Sequence, residues 1–72
     1  MIVEIPANEM RKAGHKVTQD LTRWKRKLAP HLIMRGVGKP LADDVAEGQT
    51  MALVHLDVTR DVIVCNLPEP VL

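Results

Sequence analysis

At 72 residues, with one cysteine and a formal net charge of +1, the chain has room for a single small domain with no internal disulfide. Its stability margin is expected to be thin, because so short a chain buries little surface to offset its ordering entropy. The small net charge hides a segregation: residues 1 to 40 carry nine Lys and Arg against Glu4, Glu9 and Asp20, whereas residues 41 to 72 carry only Arg60 against six carboxylates.

Such a distribution predicts either an electrically dipolar molecule or merely solvated faces of unlike elements. No basic leader followed by a long apolar stretch opens the chain, and no apolar run approaches membrane-spanning length. Cytoplasm is the expected location, with no membrane partner.

Taken in chain order, Ile2, Val3 and Ile5 form a short apolar run closed by Pro6, which predicts a brief strand at a sheet edge. The period then changes. Met10, Ala13, Val17, Leu21, Trp24 and Leu28 recur at spacings of three and four, which places them on one stripe of a helix from about Glu9 to Leu28. Asn8 is its expected N-cap, and Pro30 its expected stop. Gly14 is the weak point, where the helix either bends or breaks in two.

Between Pro30 and Thr50, Gly36, Gly38 and Pro40 interrupt any long element. Leu32 to Met34 reads as a short strand or a buried connector, and Leu41 to Ala46 as one or two helical turns ending near Gly48. Met51 to Val58 and Val62 to Leu67 read as the arms of a hairpin, with a polar turn at Asp57 to Asp61. Pro68 and Pro70 then send residues 68–72 out as an extended tail. The predicted fold class is α+β: one amphipathic helix packed on a small, mostly antiparallel β-sheet with a C-terminal hairpin.

The residues do not fall into a catalytic pattern. His15, His31 and His55 are far apart, without an HxxxH or CxxC pair, so no metal site, cofactor or small-molecule substrate is implied. Asp43 and Asp44 are adjacent and would diverge on a helix, and Cys65 reads as a small strand residue without a base beside it. Gly36-Val37-Gly38-Lys39 lacks the spacing of a phosphate loop and reads as a connector.

Binding is the better expectation. Arg11, Lys12, Lys16, Arg23, Arg26 and Lys27 would occupy the helix face opposite the apolar stripe, with Lys25 beside them. Such a face suits an anionic protein surface, or accessory contact with RNA or DNA phosphates. Against single-strand binding stands the lone aromatic, Trp24, which the stripe places inside. Val17 to Trp24 has the polar texture of a recognition helix, so a small DNA-binding repressor is the alternative, although a continuous stripe leaves no turn where one is required. The hairpin tip, Val58, Thr59 and Arg60, and the tail end Pro70-Val71-Leu72 are further candidate protein contacts.

From its opening Met-Ile-Val-Glu-Ile-Pro-Ala-Asn, through Arg23-Trp24-Lys25-Arg26-Lys27, to Asn66-Leu67-Pro68-Glu69-Pro70, the chain as a whole resembles small early proteins of lytic Xanthomonas phages that bind host RNA polymerase. The resemblance is one of length, opening and overall texture. It implies a non-enzymatic regulator that grips the N-terminal region of the polymerase β′ subunit, inhibits host transcription initiation and promotes antitermination. It carries no contact residues across, so the candidates remain those of the helix and turn.

Overall fold

A computed structural model describes residues 1–68; the expected tail contact at Pro70-Val71-Leu72 lies outside them. Strand β1 (Ile2–Pro6) leads directly into helix α1 (Ala7–Lys12), because Pro6 closes the strand and sits at the N-cap position. Two 3₁₀ turns follow at Leu21–Arg23 and Lys25–Lys27, then helices α2 (Ala29–Ile33) and α3 (Lys39–Glu47), and finally strands β2 (Leu53–Asp57) and β3 (Val62–Asn66). The class is α+β, as the sequence predicts, with an antiparallel sheet in the order β1-β3-β2.

β3 is therefore the central strand. Val3 pairs with Cys65 and Ile5 with Ile63 on one side, while Val54 pairs with Cys65 and Leu56 with Ile63 on the other. Alternation sends Val3, Ile5, Val54, Ile63 and Cys65 inward, where all five are buried. The helical layer covers that inner face, and Met10, Trp24, Leu28, Leu32 and Val45 complete the core.

The long helix expected from Glu9 to Leu28 does not exist. Gly14 takes a φ of +91°, in the left-handed region that ends helices, and the N–H of Gly14 donates back to Arg11 O at 2.9 Å. Beyond it, local polar bonds replace the helix ladder. The Asp20 carboxylate caps the first 3₁₀ turn, accepting from Thr22 N at 3.2 Å and from Thr22 Oγ1 at 2.7 Å. Thr18 O, which Thr22 N would occupy in a helix, is thereby free to accept the Trp24 indole N–H at 2.7 Å. Burying the indole requires such an acceptor. Most of the apolar stripe still reaches the interior, with Val17, Trp24 and Leu28 buried and Leu21 partly so, whereas Ala13 is exposed.

Three further expectations are corrected. Asn8 lies inside α1 and does not cap it. Pro30 stops nothing, since it occupies the first turn of α2, where its missing N–H has no helical partner to lose. Leu32 and Ile33 end that helix and Met34 caps it, so the segment is not a strand. α3 extends the predicted turns by two residues at its N-terminal end and one at its C-terminal end, and it closes on Gly48 in the left-handed conformation.

A candidate macromolecule-binding surface

The six basic residues proposed for one helix face are dispersed by the break at Gly14. Arg11 and Lys12 end α1, Lys16 lies in the irregular stretch that follows, and Arg23, Arg26 and Lys27 belong to the 3₁₀ turns. Their environments divide them into two kinds.

Arg11 is committed to the fold. Its guanidinium makes a two-pronged bond to Asp61, Nη1 to Oδ2 at 2.7 Å and Nη2 to Oδ1 at 2.8 Å, which joins α1 to the hairpin turn. Each partner stabilises the other's charge, lowering the Asp61 pKa and raising that of Arg11. By contrast, Lys12, Lys16, Arg23, Lys25, Arg26 and Lys27 make no ion pair within 4 Å among the described residues. Lys25 is half-buried; the other five are exposed.

The hairpin tip has a similar division. Val58 is 59% exposed and Thr59 is exposed, but Arg60 is tied across the sheet. Its Nε donates to Asp57 Oδ2 at 2.9 Å, and its two terminal nitrogens donate to the Glu4 carboxylate. Asp57 also accepts the Arg60 backbone N–H at 3.1 Å, so one side chain fixes the turn and the ion pair together. The Arg60 bonds hold both carboxyls below their ordinary range and push the guanidinium further up.

A third cluster was not nominated from the sequence. Glu9 accepts from Arg35 Nη2 at 2.7 Å and Nη1 at 2.9 Å, and its Oε2 lies 2.7 Å from Nδ1 of the buried His31. Arg35 also donates to His31 O and to Glu4 O, so it pins α1, α2 and β1 at one point. The Glu9 carboxyl is lowered to about 2, first by Arg35 and then by His31. Separations of 22 and 26 residues left no local signal for this cluster in the sequence.

Two of the groups with catalytic potential, Cys65 and Asp43, are enclosed or paired. Cys65 is fully buried, and desolvation pushes its thiol up to about 11, so little thiolate forms near neutrality. Asp43 pairs with Lys39 at 2.7 Å, one turn away on α3. Among the described residues, no three His, Cys, Asp or Glu side chains could hold a metal ion, and no helix is long and apolar enough to cross a membrane. An open groove between the second 3₁₀ turn and α3 is lined by Arg26, Ala29, Asp43, Ala46, Glu47 and Gln49, opposing one cation to two carboxylates.

Compared with known proteins, the chain matches no family, no curated protein and no solved structure.

Proposed function

We propose that this chain is a non-enzymatic regulator that binds bacterial RNA polymerase through the N-terminal region of the β′ subunit, inhibiting initiation and promoting antitermination. The observation that supports binding is the uneven use of charge. Glu4, Glu9, Asp43, Asp57 and Asp61 are ion-paired within the fold, whereas among the described residues the cations from Lys12 to Lys27 make no ion pair. Concentrated positive charge steers association with an anionic surface and leaves room for accessory contact with RNA phosphates. The polymerase itself is named by the resemblance of the whole chain to phage proteins of that activity.

The test is retention of β′ from a nuclease-treated bacterial lysate on the immobilised chain. Selective recovery of polymerase at low salt is expected; its absence there removes the reading. A strong, sequence-selective shift of duplex DNA by the purified chain, with a steep salt dependence, would favour a repressor instead.

A further inference from the structure

The two edges of the sheet are finished differently. Met1 N donates to Leu67 O at 3.1 Å, Leu67 N returns a bond to Met1 O at 2.8 Å, and Ala7 N donates to Asp61 O at 2.9 Å. Backbone groups alternate in direction along an antiparallel ladder, so Ile63 and Cys65 turn theirs toward β1. Val62, Val64 and Asn66 then turn theirs toward β2, where they meet Asp57, His55 and Leu53. On the outer edges this leaves the backbone groups of Ile2, Glu4 and Pro6 for β1, and of Val54 and Leu56 for β2.

The β1 edge is blunted. Pro6 has no N–H to offer, Glu4 O is held by Arg35 Nε at 3.1 Å, and α2 packs against the strand. β2 has none of these devices. It contains no proline, and among the described residues nothing hydrogen-bonds to its outer side. Leu53 and Met51 beside it are 71% and 93% exposed.

From this we propose that the outer edge of β2 is a docking site for an extended segment of a partner protein, added as a fourth antiparallel strand. Val54 and Leu56 supply two donors and two acceptors, and their side chains continue the inner apolar face. Leu53 calls for an aliphatic side chain on the outer face. Four residues toward the N-terminus of the added strand, Asp57 calls for a cation, because Glu4, Asp57 and Arg60 together retain one negative charge. A second copy of β2 fits poorly. Centring on His55 opposes Leu53 to Asp57 twice, and centring on Val54 opposes Asp57 to Met51. The site is distinct from the basic segment and does not rest on the polymerase reading.

The probe is the capped peptide Thr-Lys-Val-Thr-Val-Ile-Thr, in which Lys is placed for Asp57 and Ile for Leu53. Amide exchange of Val54 and Leu56 should be fast in the free chain and slow at least about tenfold when the peptide is added, consistent with one or two new bonds. A chemically synthesised chain carrying a backbone N-methyl at Leu56 keeps every β2–β3 bond, yet should bind the peptide about tenfold or more weaker. Retained protection of His55 and Val64 certifies its fold. The proposal is overturned by slow exchange of Val54 and Leu56 in the free chain, or by protection that grows with protein concentration alone. Absence of peptide-induced protection, or equal affinity of the N-methylated chain, overturns it as well.

Discussion

The sheet and the segment from Lys12 to Leu28 use charge in opposite ways. On the sheet, Arg60 spans from Asp57 on β2 to Glu4 on β1, and Arg11 closes onto Asp61 at the turn, so ionic groups staple strands and helix together. In the segment, cations stand in sequence without carboxylate partners among the described residues, and the backbone is held by local and apolar contacts: the Asp20 cap, the Thr18 carbonyl on the indole, and the buried Trp24 and Leu28. The lesson is that proximity in sequence does not decide which charges stabilise a fold. Pairing across 50 and 56 residues ties the charges of one region into the fold and leaves the other available for a partner.

The largest break in this contrast comes from Trp24→Ala. The side chain is fully buried and its N–H satisfies Thr18, so the loss is expected at about 3–5 kcal/mol, a large share of the stability of so small a domain. Urea denaturation should show a severely lowered midpoint.

Acid provides the next test. The folded Glu9 carboxyl titrates at about 2 against an ordinary 4.5, so it binds its proton more readily when unfolded. Its contribution is complete above the ordinary value and is lost as pH falls from about 5 toward 2. With its side chain 29% exposed, screening reduces the effect to about 1–2 kcal/mol. Glu9→Gln should make stability fall less steeply across that window, the other paired carboxylates keeping their share, and an unchanged slope would remove the Glu9 cluster from the account.

Gly14→Ala distinguishes a break from a helix by sign. A continuous helix would gain about 1 kcal/mol from the substitution. At a φ of +91° with open space around the Cβ, backbone strain should instead cost about 1–2 kcal/mol. The smallest stability effect is expected from Arg23→Glu with Lys27→Glu, within about 0.5 kcal/mol, since neither cation makes an ion pair among the described residues. The same double variant should lose affinity for polymerase, measured by titration at low salt; unchanged affinity would exclude this segment from the interface.

Much of the sheet was legible from neighbours in the chain. The aliphatic runs from Met51 to Val58 and from Val62 to Leu67, and the polar turn between them, describe a hairpin whose partners are close in sequence; the strands themselves are shorter, Leu53–Asp57 and Val62–Asn66. Pro6 closing an apolar run likewise located β1. The candidate surface was legible only as a composition. Its residues were correctly seen as basic, but the helix that was to align them is absent, and Arg11 and Arg60 are bound into the fold.

By itself, then, the sequence determined which residues are apolar enough to build a core and where the first strand and the hairpin fall, because those depend on side-chain chemistry and local backbone preference. It could not choose between a helix and a folded-back loop for the stripe from Met10 to Leu28, since both bury most of the same side chains. The tertiary structure decided that: Trp24 needed a carbonyl acceptor in the core, and Thr18 can supply one only when it is not part of a helix. It also decided which cations are left for a partner, because a charge is spent or spared by what folding brings to within 3 Å of it.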